Sequence, residues 1–256
     1  MYASAFYLRY NKFNKFFNKR SLMMDSNHLS DRLKKVASYV PLNSRMADIG
    51  SDHAYLPVYL AKNNKISFAV AGEVAKGPLE NAEHEINLEK FDDIILPRLA
   101  DGLDAIKLSD NIDCITIAGM GGTLIRDILK RGQNKLSGKE KLVLQPNVGE
   151  FILRLWLMNN EYKITNEDII REDGHTYEII VAEKVNETIH YSDDELQFGP
   201  FLIKEQSQVF IDKWCNEKIR MREVINQMNQ AKKHRPIDRI NAIEDKISKI
   251  DEVLNK

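Results

Sequence analysis

Between Arg45 and Pro57 the chain reads Arg-Met-Ala-Asp-Ile-Gly-Ser-Asp-His-Ala-Tyr-Leu-Pro. An apolar run, Met46 to Ile49, carries an acid, turns at Gly50, and gives way to polar groups that open a helix. A strand that turns through glycine into a helix presents backbone N–H groups and a positive dipole end at the carboxyl edge of its sheet. Open α/β sheets bind ligands at that edge. Asp48 at the strand tip adds an acceptor for an ammonium or a hydroxyl. The ligand expected there carries positive charge and is not a bare pyrophosphate.

The same alternation repeats downstream. Phe68 to Ala71 predicts a second buried strand closing on Gly72-Glu73, and Asp92 to Leu99 a third, despite Pro97, closing on Asp101-Gly102. Ile112 to Ala118 predicts a fourth strand opening into Gly119-Met120-Gly121-Gly122. Lys141 to Leu144 predicts a fifth, ending in Gln145-Pro146-Asn147-Val148-Gly149. Helical spacing covers Ser30 to Tyr39, Leu56 to Asn63, Pro78 to Leu88, the stretch after Gly122, and Phe151 to Met158. Tyr162 to Arg171 and Thr176 to Glu183, joined at Asp173-Gly174, read as an antiparallel hairpin. Together these predict a doubly wound α/β domain over residues 25–185.

After a polar linker, about Asn186 to Asp194, the pattern changes. Phe201 to Gln230 and Ile237 to Leu254 carry apolar residues at near-heptad spacing, interrupted at Lys233 to Pro236. They predict an antiparallel coiled-coil hairpin making a second domain, residues 195–256. Its slight basic surplus fits either a solvated hairpin used for packing or dimerising, or one that binds RNA.

Composition narrows the classes. A net charge of -1 over 256 residues argues against a strongly basic nucleic-acid binder as a whole, though not against a local basic face. The two cysteines, Cys114 and Cys215, have neither metal spacing nor a disulfide framework, which fits a reducing cytoplasm. No apolar run approaches the ~18 residues needed to cross a membrane. Residues 1–24 are basic, free of acids and crowded with Phe, Tyr and Asn. They read as a transit-like or membrane-surface segment, or as an extension upstream of a start near Met23 or Met24, and are set aside from the fold.

Asp48, Glu73 and Asp101 form a set, one acid at each of three successive strand tips. A nicotinamide enzyme wants Gly-x-Gly-x-x-Gly after its first strand. Here Asp52 and His53 follow Gly50-Ser51, and Asp52 would repel a diphosphate. The acids suit S-adenosylmethionine, with its ammonium, sulfonium, ribose diol and adenine, and Glu73 stands where a carboxylate takes ribose hydroxyls. His53 is either a ligand-facing donor or a helix-start residue packed over the turn. Tyr55 either stacks on a base or plugs the core. Gln145 and Asn147 are a carboxamide pair facing the same cleft as Gly119 to Gly122.

Asp48 to Pro57, Ile117-Ala-Gly-Met-Gly-Gly122, Leu144-Gln-Pro-Asn147, and Glu172-Asp-Gly174 followed by Tyr177-Glu-Ile closely resemble the bacterial TrmK family. The resemblance runs from about Leu29 to the C-terminus and does not cover residues 1–24. It implies a Rossmann-like class I methyltransferase domain with a C-terminal coiled coil, S-adenosylmethionine as cofactor, and methyl transfer to N1 of adenine 22 in tRNA. Two departures from the wider methyltransferase class stand out. The first-strand loop lacks glycines at Asp52 and Ala54, and Gln145-Pro146-Asn147-Val148 replaces the Asn/Asp-Pro-Pro-aromatic motif of amino methylases.

The resulting assignment places Asp48, Gly50, Ser51, His53, Glu73, Asp101, Gly102, Ala118, Gly119, Met120 and Gly121 around the cofactor. Asp52, Tyr55 and Asn147 are the catalytic candidates, and no metal is assigned. Arg126, Lys213, Lys218, Arg220, Lys232 and Lys233 are the expected tRNA contacts, with no DNA, no membrane, and a cytoplasmic location as a monomer or, as the alternative, a dimer. The rival readings are a methyltransferase on another RNA or a small amine, and a non-catalytic protein using the coiled coil to bind a partner.

Overall fold

The structure, a computed structural model, describes residues 26–230 and 236–255. The set-aside segment 1–24 lies outside the described residues, as do Lys232 and Lys233. Helix α1 (Asp31–Tyr39) starts where Ser30 accepts from the Leu33 N–H. The chain then alternates through β1 (Ser44–Ile49), α2 (Tyr55–Lys62), β2 (Ile66–Glu73), α3 (Lys76–Leu88) and β3 (Ile95–Leu99). It continues through β4 (Cys114–Met120), α4 (Gly122–Arg131), β5 (Lys141–Pro146) and α5 (Glu150–Asn159) to the hairpin β6 (Tyr162–Glu172) and β7 (His175–Lys184).

The seven strands form one sheet in the order β3-β2-β1-β4-β5-β7-β6, with β1 to β5 parallel and β7 antiparallel to both β5 and β6. The order reverses direction between β1 and β4, so their carboxyl ends flank the crossover crevice. The strands are apolar on both faces because helices cover both. Ala47, Ile49, Ile115, Ile117, Leu142 and Leu144 point to the layer holding α4 and α5. Met46, Ala69, Ala71, Cys114 and Val143 point to the layer holding α1 and α2. The β6–β7 turn is the expected Asp173-Gly174, both at positive φ. β3 is shorter than predicted and lies at the sheet edge, where Pro97 is tolerated.

Two differences appear downstream. α6 (Asp193–Phe198), started by a Ser192/Glu195 capping box, begins at the end of the expected linker and runs past it. The predicted helix from Phe201 is split into α7 (Leu202–Glu205) and α8 (Gln208–Asn229). Gln206 takes a left-handed φ of 45° between them, its side chain donating to the Val253 carbonyl, and Ser207 caps α8. α9 (Ile237–Leu254) runs antiparallel to α8: Lys218 of α8 pairs with Asp251 of α9. Phe198, Leu202, Phe210, Trp214, Ile250 and Val253 form a core with Ile169 of β6, so this helical pair is docked on the sheet's last hairpin. Among the described residues no helix is long and apolar enough to cross a membrane.

Candidate active site

A cleft of about 280 Å³ opens at the β1/β4 crossover, lined by Arg32, Leu33, Asp48, Gly50, Ser51, Asp52, Tyr55, Leu56, Ala118, Gly119 and Met120. The loop beneath it is held to β2, where the Gly50 and Ser51 N–H groups donate to the Gly72 carbonyl at 2.9 and 3.3 Å. Gly50 has φ 73°, and Asp52 and Ala54 follow at 54° and 56°. The two positions where a glycine was missed therefore keep a backbone that favours glycine, at a cost of about 1–2 kcal/mol each. Side chains kept against that cost point to a use for them.

Asp48 is buried opposite Thr116 of β4, and its two oxygens accept from Thr116 Oγ1 and Ser51 Oγ, each at 2.6 Å. Burial pushes its carboxyl above the usual range, and the two hydroxyls offset this in part. Glu73, also buried, accepts from the Asp52 N–H, and burial raises its carboxyl too. Among the described residues neither acid is paired with a cation. The crossover is thus a site for positive charge.

Asp52 is exposed, and Tyr55 lines the cleft with its ring stacked on His53 at 4.9 Å between centroids. Tyr55 also packs against the α1/α2 core layer, whereas His53 is not among the lining residues. Asp101 does not join the other acids. The chain turns into a 3₁₀ segment at Gly102–Ala105, and the Asp101 carboxylate sits in solvent against Arg131 at 3.1 Å. Gly102 is buried beneath Ile128, away from the cleft lining.

The β4 and β5 ends are tied by side chains. Gln145 is fully buried; its Oε1 accepts from the Gly119 N–H at 2.9 Å and from Arg32 Nη1 at 2.5 Å. Its Nε2 donates to Asn147 Oδ1 at 3.1 Å, and Asn147 Nδ2 donates to the Gly119 carbonyl at 2.8 Å. Asn147 lines a larger groove of about 870 Å³ between the β5–α5 loop and α6, α8 and α9; neither it nor Gln145 is among the cleft's lining residues, and the pair reaches the cleft wall only through its bonds to Gly119. Gly121 leads into Gly122, where a Cβ would collide with the Gly149 carbonyl oxygen, so the two loops approach as only glycine permits.

The expected phosphate contacts fare unevenly. Lys213 is a correction: its ammonium bridges Glu150 at 2.8 Å and Glu178 at 2.6 Å beneath α8. Burial opposes its charge, but Glu178 and Glu150 outweigh burial and raise its pKa. Lys218 pairs with Asp251, while Arg126 and Arg220 pair with Asp127 and Glu217 on their own helices. Arg32 was missed altogether. It lies between Asp31 and Lys34 in the sequence, and its place in the cleft lining and its contact with Gln145 are set by the fold.

The family model for TrmK, tRNA (adenine(22)-N(1))-methyltransferase, matches residues 46–252. The chain belongs to the TrmK family. It is 44% identical over 212 residues to the tRNA (adenine(22)-N(1))-methyltransferase of Bacillus subtilis, covering 81% of this chain and 89% of that one. The crystal structure of the B. subtilis m1A22 tRNA methyltransferase TrmK matches with a TM-score of 0.81 at 40% identity, over 89% of this chain and 99% of that one. M. capricolum TrmK in complex with the natural cofactor product S-adenosylhomocysteine matches with a TM-score of 0.78 at 32% identity, over 89% of this chain and 98% of that one. The TrmK match begins within β1 and ends within α9, so it spans both the sheet and the docked helices.

Proposed function

We propose that this chain transfers a methyl group from S-adenosyl-L-methionine to N1 of adenine 22 in tRNA. The observation that carries the reading is an acidic, glycine-lined cleft at the β1/β4 crossover of a TrmK-family chain. The cofactor, when bound, supplies a methyl group on a sulfonium sulfur. Asp48, Gly50, Ser51, Ala118, Gly119 and Met120 form the wall that receives it, with Gly121 next along the chain. Glu73, at the tip of β2, is assigned to the ribose hydroxyls. His53, Asp101 and Gly102 are outer candidates, and Asp101 reaches the cofactor only by leaving Arg131.

Adenine N1 has an in-plane lone pair, so the attack needs no prior deprotonation. The chain's work is then alignment and exclusion of water. Tyr55 offers a flat wall, and Asn147 an amide at the lip where the larger groove begins. The Asp52 carboxylate is suited to the exocyclic amine and to the positive ring of the product. N1 lies on the pairing edge, so the base must be turned out of the tRNA to react.

Arg126, Lys218, Arg220, Lys232 and Lys233 remain the proposed tRNA contacts, on α4 and on a C-terminal coiled-coil hairpin (195–256) that follows a catalytic domain (25–185). Lys213 is withdrawn from that set. The protein is taken to act as a cytoplasmic monomer. The test is methyl transfer from labelled S-adenosylmethionine to unmodified tRNA with adenine or guanine at position 22. Label in the first alone is expected. Label in both would move the target nucleotide, and label in neither, with cofactor binding intact, would remove tRNA as substrate.

A further inference from the structure

The larger groove takes part of its lining from the β5–α5 loop (Asn147, Val148, Glu150) and part from α8 (Lys213, Trp214). Lys213 joins the two. Its ammonium lies 2.8 Å from a Glu150 oxygen and 2.6 Å from a Glu178 oxygen, and the other Glu178 oxygen accepts from Arg154 at 2.5 Å. Glu150 and Arg154 stand one turn apart on α5, so α8 is clamped to the start of that helix as well as to β7. The Lys213 and Glu150 side chains are only 23% and 19% exposed. The pair is thereby spared most of the solvent screening that weakens surface ion pairs.

Glu150 is the first residue of α5, and directly before it comes the lip Asn147-Val148-Gly149. On one side the lip is bonded to the end of β4 and the start of α4. The Asn147 N–H donates to the Met120 carbonyl at 2.8 Å, the Gly122 N–H donates to the Val148 carbonyl at 2.7 Å, and Asn147 Nδ2 donates to the Gly119 carbonyl. The chain then turns through Gly149, at φ 82°, into Glu150 and its bond to Lys213. One end of the lip is therefore held by the strand ends, and the other by an ammonium from α8. Methyl transfer depends on alignment, and a displacement of about 1 Å can cost roughly a hundredfold in rate. We propose that Lys213 is a positioning residue for the reaction. Through Glu150 it fixes the lip from which Asn147 meets the base, so the docking of α8 sets the geometry of the reacting site. The proposal rests on the methyl-transfer reading above. Its alternative is a Lys213 that only anchors α8 through Glu178.

Two variants of the full chain separate these. Glu150→Ala cuts the tie to the lip and leaves Lys213 on Glu178. Glu150→Gln loses the same charge at the helix start but keeps an oxygen for Lys213. With tRNA carrying adenine at position 22, kcat of E150A should fall about tenfold or more, while KM for tRNA and the calorimetric affinity for S-adenosylmethionine stay within about threefold. E150Q should keep kcat within about threefold of wild type, and Lys213→Met should lose at least as much as E150A. Amide hydrogen exchange reads the lip without turnover. The Asn147 and Gly122 N–H groups should exchange at least about tenfold faster in E150A and K213M, with the Gly50 N–H unchanged. An E150A variant with wild-type kcat or wild-type exchange at the lip overturns the proposal. So do equal losses in E150A and E150Q, which would trace the effect to charge at the helix start, and a raised KM for tRNA with kcat unchanged. A wild type that leaves the tRNA unlabelled removes the methylation reading, and exchange at the lip then still decides whether Lys213 holds it.

Discussion

At the ends of β1 and β2 the carboxylates of Asp48 and Glu73 are buried against hydroxyls and a backbone N–H. Beneath α8 the carboxylates of Glu167 and Glu178 are buried just as deeply, but against cations. Arg154, fully buried on α5, donates to Glu167 at 2.7 Å and to Glu178 at 2.5 Å, and Lys213 of α8 adds its ammonium to Glu178. Burial opposes ionisation of Glu178, yet Arg154 and Lys213 together outweigh it and hold its carboxyl below the usual range. Burial raises Asp48 with no cation to offset it. In the second cluster burial also keeps Glu167 above the usual range, although Arg154 lowers it in part, so it is Glu178, facing both cations, that carries the contrast. The first cluster is left electrostatically incomplete and the second is closed on itself. A closed cluster anchors one part of the chain to another, here α8 to the β6–β7 hairpin. An incomplete one is adapted to a ligand that brings the missing charge.

The largest expected effect comes from opening the closed cluster. Arg154→Ala leaves Glu167 and Glu178 buried without their shared cation, which should cost about 3–5 kcal/mol and lower the melting midpoint by roughly 10 °C. Denaturant unfolding would measure this, and a loss below about 1 kcal/mol would mean that the cluster does not hold the helices. Replacing Arg154, Glu167 and Glu178 together by uncharged residues of similar size should recover much of the loss, because no charge is then stranded.

Asp48→Asn should act in the opposite sense on stability. A raised carboxyl favours the protonated form, so its contribution to stability is present at low pH and lost as pH rises through the folded value. The free variant should therefore be at least as stable as the wild type at neutral pH, while its affinity for S-adenosylmethionine falls at least about tenfold. In the wild type that affinity should decline on acidification at a pH above the ordinary carboxylate pKa of about 4, and the decline should flatten in the variant. Glu178, held low, supplies stability that persists until pH falls through its own depressed value. Helix docking should thus outlast cofactor binding as pH drops, and calorimetry beside a thermal melt at each pH would reveal the reverse order if the comparison is wrong.

The smallest effect is at Asp52. Relieving its left-handed backbone with Asp52→Gly should add roughly 0.5–1 kcal/mol of stability while methyl transfer to tRNA falls. A variant with unchanged turnover would remove Asp52 from the catalytic set.

Much of this architecture was legible because it is local. Met46 to Ile49, Ile112 to Ala118 and Lys141 to Leu144 are short apolar runs that end in turn residues, and Asp173-Gly174 is a hairpin turn in any context. Asp48 and Glu73 could be placed because a strand tip fixes where its side chain emerges. Asp101 followed the same pattern and diverged, because a 3₁₀ turn after Ala100 leaves its carboxylate in solvent beside Arg131. The break at Gln206 was equally obscure, since a left-handed residue there is held by Val253, far along the chain.

By itself the sequence determined the succession of strands, turns and helices and the acids at the first two strand tips, because periodicity and turn chemistry act over a few residues. Which charges meet was decided only by the tertiary structure. Lys213 immediately precedes the buried Trp214, and nothing in α8 alone says that its ammonium faces Glu178 rather than a phosphate. Arg32 and Gln145 are separated by 113 positions, and their 2.5 Å contact exists only because α1 packs across the sheet beside β5. Electrostatic partnership depends on distance in space, which a helix or strand pattern does not encode.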